Sequence, residues 1–166
     1  MQLTIAAALA VVAALFEFTV VPYLKIGDAA LQPVLVLGVI WAVIAGFEGG
    51  LVWAFVGGLA LDILGQRPLG ASAFSLLIAI AVGTFVGTAF SRIRILSPVV
   101  ATFVASLVYS MILLNVTALL TSVRVPDAAT AAVIPTAAYD VVLALVVGPL
   151  AMAIVMRRRD AERADW

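Results

Sequence analysis

The sequence predicts an all-α membrane protein with six transmembrane helices, on three observations. Apolar residues make up 66% of the chain and charged residues only 11%, against roughly 45–50% and about 25% in a soluble domain. The apolar residues are gathered into long runs separated by charge, Pro or Gly. A chain of 166 residues also has too much surface for its volume to hide such runs from water, so lipid is the solvent that removes the penalty.

Crossing the hydrocarbon takes roughly 20 helical residues. Leu3 to Val21 is the first candidate span, interrupted by Glu17, with Pro22-Tyr23-Leu24-Lys25 and Gly27-Asp28 as its exit turn. No positive residue precedes it, which predicts a retained helix rather than a cleaved signal peptide. The second span is Leu31 to Ala45, with Pro33 in an opening turn whose first amides lack internal partners. Gly46-Phe47-Glu48-Gly49-Gly50 reads as a break, and residues 50–64 form the third span. At 1.5 Å per residue the second and third reach only about 20–24 Å. Short spans and a re-entrant hairpin are both open readings of this pair.

Gln66-Arg67-Pro68-Leu69-Gly70 predicts a turn, because Pro68 biases Arg67 away from helix and Gly70 permits a sharp reversal. The fourth span runs from Ala71 to Phe90 and ends at Ser91-Arg92-Ile93-Arg94. Ser97-Pro98 reads as a cap followed by Pro at the first helical position of the fifth, which covers 98–120. Thr121 to Ala132 reads as a polar loop. The sixth span covers 133–156, with Pro149 as an expected kink. With both termini cytoplasmic, Arg92, Arg94, Arg157, Arg158, Arg159 and Arg163 lie inside and Lys25, Arg67 and Arg124 outside, which satisfies the positive-inside rule.

Composition also excludes functions. The formal net charge is zero, so no basic field exists to collect nucleic acid. The chain has neither Cys nor His, which removes disulfides, thiolate nucleophiles, the usual zinc sites and an imidazole base. No cofactor or metal site is expected. An ionisable residue inside a membrane helix is costly and therefore marks a candidate for function. Glu17, Asp62 and Asp140 are such residues, and Asn115 joins them as a neutral polar group. Helical rise places all four within about 5–11 Å of the outer boundary. The expectation is one polar layer, reached by Lys25, Arg67 and Arg124 from the outer loops, that glues helices together or forms a site.

Small residues recur at helix-packing spacing at Ala6, Ala10 and Ala14, at Gly46 and Gly50, and at Gly83 and Gly87. Packing within the chain is the default reading, with self-association left open. Arg157-Arg158-Arg159 reads as a topology anchor against anionic lipid.

From Gln32-Pro33 to Gly70 the chain resembles the bacterial rod shape-determining MreD family. The resemblance rests on Pro33 opening the second span, on the small-residue break at 46–50, on Gly57-Gly58-Leu59-Ala60-Leu61-Asp62-Ile63-Leu64, and on Pro68-Leu69-Gly70. Val34 stands where the family often has Asp, so a role carried by that acid is not transferred. The resemblance implies a non-enzymatic subunit of the cell-elongation machinery in the bacterial cytoplasmic membrane. It would bind the single-span protein MreC and act through it on the actin-like MreB and on peptidoglycan synthases. Its interaction residues would be Pro33, Gly57, Gly58, Asp62, Pro68, Leu69 and Gly70. The family fold also resembles the substrate-binding subunits of energy-coupling-factor vitamin transporters. Those have six helices, an alanine-spaced first helix used for docking and an outward ligand pocket, so such a subunit is the alternative. A third reading, a membrane enzyme, requires Asp62 and Asp140 to share a proton as an acid/base pair.

Overall fold

In hydrocarbon no water satisfies a bare amide, so an apolar chain has to bond its own backbone, and helices do this within one segment. The computed structural model describes residues 2–25, 27, 29–89, 96–122 and 126–164, with 2, 45, 96 and 152–164 described by backbone alone. Among the described residues the chain is helical without strands. Its helices are α1 (Gln2–Thr19), α2 (Pro33–Ala45), α3 (Phe47–Leu64), α4 (Ala71–Ala89), α5 (Leu96–Thr121), the short α6 (Asp127–Ala131) and α7 (Val133–Ala164). Five stretches are long and apolar enough to cross a membrane: Leu3–Tyr23, Phe47–Leu64, Ala71–Ala89, Ser97–Thr121 and Asp127–Ala151. The chain is a multi-pass membrane protein.

The second expected span differs in kind. α2 has 13 residues and reaches about 20 Å, short of a bilayer core of about 30 Å. It packs against α1, α3, α4, α5 and α7, and Val34, Leu35, Val36, Val39, Ile40 and Ala42 are all buried. A helix that is apolar all round belongs inside a bundle. α2 is that central helix, and protein rather than lipid surrounds most of it.

Local boundaries follow the turn chemistry, with four corrections. Only Gly46 breaks the chain between α2 and α3, at φ +107°, a conformation that favours glycine. Phe47 to Gly50 are helical, so α3 has 18 residues and is not a short segment. Gly49 and Gly50 are small for another reason: a Cβ at Gly49 would meet the Trp41 indole nitrogen at 2.8 Å, and one at Gly50 would strike Ala42. Second, Ser97 does not cap α5. It lies inside that helix, and its hydroxyl donates to the Gly87 carbonyl of α4 at 2.6 Å. Third, the expected 121–132 loop contains α6, which starts directly after Pro126. Fourth, α7 continues past residue 156 to Ala164, passing through Pro149. Arg92, Arg94 and Arg124 lie outside the described residues, as do the side chains of Arg157, Arg158, Arg159 and Arg163.

Small residues set the helix spacing. Ala6, Ala10 and Ala14 have no exposed surface, and a Cβ at Gly57 would meet Ala10 and Val34, so the alanine stripe is spent on packing α1 against α3 and α2. Gly83 and Gly87 admit α5 at Ala101 and Ala105 in the same way. The tightest approach is between α3 and α4, where a Cβ at Gly58 would lie 2.6 Å from the Ala73 backbone nitrogen and closer still to its Cα. Backbone has little room to yield there. Gly58→Ala is therefore expected to destabilise the protein by about 1–3 kcal/mol through overpacking, measured as thermal unfolding in detergent. Unchanged stability would show that α3 and α4 are further apart than described.

Candidate functional site

The first amides of every helix lack partners within it, and at membrane depth water does not supply them. Two helices, α2 and α4, begin at the same end of the bundle, and at both starts carboxylates from other helices accept these amides. At α2, Pro33 has no N–H to satisfy, while Gln32 N donates to Asp140 Oδ1 at 2.8 Å and Val34 N donates to Glu17 Oε2 at 2.9 Å. The second oxygen of Asp140 accepts the Ser106 hydroxyl at 2.6 Å. α1, α5 and α7 thus meet on the opening turn of α2.

At α4 one residue does the same work alone. Asp62, with no exposed surface, accepts Gly70 N at 2.8 Å and Ser72 N at 2.9 Å on its two oxygens. Its own carbonyl accepts Arg67 N at 3.0 Å. The turn that follows α3 is closed by both ends of Asp62, with Gly70 at φ +94° as the expected reversal. The Arg67 guanidinium donates to the Ser72 hydroxyl at 3.3 Å. Pro68 and Leu69 sit between these anchors, and the Leu69 side chain is 73% exposed.

Loop 20–32 is fastened to α7 at two further points: the Tyr139 hydroxyl donates to the Leu24 carbonyl at 3.0 Å, and Ala30 N donates to Thr136 Oγ1 at 3.4 Å. Under this loop lies a chamber of about 290 Å3 whose polar walls are Glu17, Lys25, Gln32, Arg67 and Tyr109. A second cavity, of about 490 Å3, is a groove between α1 and α7 floored by α2, with Leu9, Phe16, Ile40, Trp41, Ile44 and Ala151 along it.

The structure brings together Glu17, Asp62 and Asp140 at one end, as the helical rise predicts. Asn115 is not with them. It is exposed, and its amide donates to the Met111 carbonyl one turn back at 2.7 Å. Depth along α5 was predictable from rise, whereas the side of the helix it faces was not. Asp62 and Asp140 share no hydrogen-bond partner, since each holds a different helix start. Sequence reasoning missed Ser106 and Gln32. A signal for Ser106 exists in the hydroxyls Thr102, Ser106 and Ser110, spaced by four residues along one side of α5 and all buried.

Comparison with family models, curated proteins and solved structures finds no match. The site therefore stands on its geometry.

Each carboxylate caps amides that have no alternative partner. Asp62→Asn replaces one acceptor oxygen with an NH2 facing an N–H. It is expected to cost about 1–3 kcal/mol, the penalty of leaving a buried donor unpaired. Asn115→Ala removes only an exposed bond within its own helix and is expected to change stability by less than about 0.5 kcal/mol. Thermal unfolding of both variants in detergent tests the contrast, and equal effects would remove Asp62 from its capping role.

Proposed function

We propose that the chain is a non-enzymatic membrane adaptor of the MreD type, placed in the bacterial cytoplasmic membrane with both termini cytoplasmic. Its direct partner is an MreC-like single-span protein, through which it serves MreB and the peptidoglycan synthases in cell elongation. The observation that carries this reading is the clamp of Asp62 on Gly70 and Ser72. It makes one rigid structural unit of the residues on which the resemblance rests. Gly57 and Gly58 bring α3 against its neighbours, Asp62 closes the turn, and Pro68 and Leu69 are held at its tip with Leu69 turned outward. Pro33 opens α2 at the same end. A rigid turn with an exposed leucine suits recognition of a neighbouring chain. Four of the six oxygens of Glu17, Asp62 and Asp140 accept backbone amides and a fifth accepts the Ser106 hydroxyl, which supports a scaffold over chemistry.

The energy-coupling-factor reading is the alternative. The polar chamber speaks for it, whereas the complete burial of Ala6, Ala10 and Ala14 leaves no alanine stripe on α1 for docking.

Co-expression with an MreC-like protein and purification of the complex tests the adaptor. Leu69→Ser is expected to lose the partner while thermal stability shifts by less than about 0.5 kcal/mol, as for exposed substitutions. Failure of the unaltered chain to retain any such partner, or recovery of a bound vitamin and an ATPase-linked membrane protein instead, would reject the adaptor.

A further inference from the structure

The chamber under loop 20–32 has a charge arrangement that the adaptor role does not use. Lys25 and Arg67 are both exposed, and among the described residues neither forms an ion pair. Among the described residues Lys25 has no hydrogen-bond partner, and the one side-chain bond of Arg67 goes to the Ser72 hydroxyl. They put two cations at the mouth. The acceptors lie deeper. Glu17 commits one oxygen to Val34 N and, among the described residues, leaves the other without a bond. Glu17 is half-buried and lines the chamber. Beside it the Gln32 amide nitrogen donates to Ser110 at 3.3 Å, while Gln32 Oε1 is buried without a donor. Tyr109 closes the same wall.

Donors at the mouth and acceptors on the floor select opposite charges at the two ends of one molecule. A simple anion leaves Glu17 and Gln32 Oε1 unmatched; a simple cation meets Lys25 and Arg67 on the way in. The volume, about 290 Å3, sits at the small end of ligand sites, which run from about 300 to 1,000 Å3. Leu61 and Leu113 supply apolar wall between the two layers. We propose that the chamber binds a small zwitterion of amino-acid to dipeptide size, its primary ammonium inward on Glu17 and Gln32 and its carboxylate outward on Lys25 and Arg67. Such an ammonium supplies the donor that Gln32 Oε1 lacks and pairs with the free oxygen of Glu17.

The proposal is independent of the adaptor reading, which stands or falls with Leu69. It is tested on the full chain in lipid nanodiscs by calorimetry and ligand-observed NMR. The probes are L-alanine and glycylglycine as zwitterions, with acetate and ethylamine as their halves. At least one zwitterion is expected to bind roughly tenfold or more tightly than either half. Lys25→Met alters an exposed loop residue with no hydrogen bond among the described residues, so it leaves folding intact. It is expected to weaken the zwitterion about tenfold and leave ethylamine unchanged. Gln32→Met is expected to weaken the zwitterion and ethylamine but not acetate. If Gln32→Met fails to fold, the Lys25 arm still decides. Absence of zwitterion binding at about 10 mM, or an affinity indifferent to Lys25→Met, overturns the proposal.

Discussion

Carboxylates aimed at bare backbone amides hold this bundle together at one end, and the rest of the arrangement depends on them. A helix that starts inside a membrane protein has amides that neither the helix nor water satisfies. Glu17 and Asp140 reach the opening turn of α2 from two different helices, and Asp62 reaches that of α4. Partial positive charge at a helix start favours an anionic neighbour, so acid and amide each remove the other's cost. Replacing either partner alone leaves a buried polar group without a counterpart, which explains why these acids sit where an apolar residue would otherwise be preferred.

The same device permits α2 to be short. A helix of 13 residues is shorter than the hydrocarbon core of a bilayer, and one packed against five others meets little lipid. Its two ends are finished by protein: carboxylates at Gln32 and Val34, and a single glycine at 46 leading directly into α3. Trp53 of α3 adds a bond from its indole nitrogen to the Val34 carbonyl at 2.9 Å and stacks on Trp41 with ring centroids 5.9 Å apart. α2 and α3 thereby behave as one hairpin with a shared interior.

Much of the helical layout is legible in the sequence because apolar runs, Pro and Gly mark where helices start and stop. Pro33 opens α2, Ala71 opens α4 and Val133 opens α7 as the sequence suggests. What periodicity does not carry is azimuth. α2 reads as a short span or half of a re-entrant hairpin, because a core helix and a spanning helix are both apolar all round. Asn115 reads as a member of the polar layer because rise fixes depth and nothing in the residue fixes its side. Gly49 and Gly50 read as a break because the same residue type serves sharp turns and close helix contacts, and only the neighbours Trp41 and Ala42 distinguish them. The acids Glu17, Asp62 and Asp140 were conspicuous by their solvent, whereas their amide partners were invisible, since every residue has a backbone amide.

The bond between Gln32 and Asp140 joins positions 108 apart in the chain. Synthesis delivers α2 long before α7, so the start of the central helix waits with an unsatisfied amide until α7 enters the membrane. A nascent chain cut short before Asp140 holds every other element of the bundle and still exposes a flaw at its centre. α7 therefore acts as the closing pin of the helices that precede it.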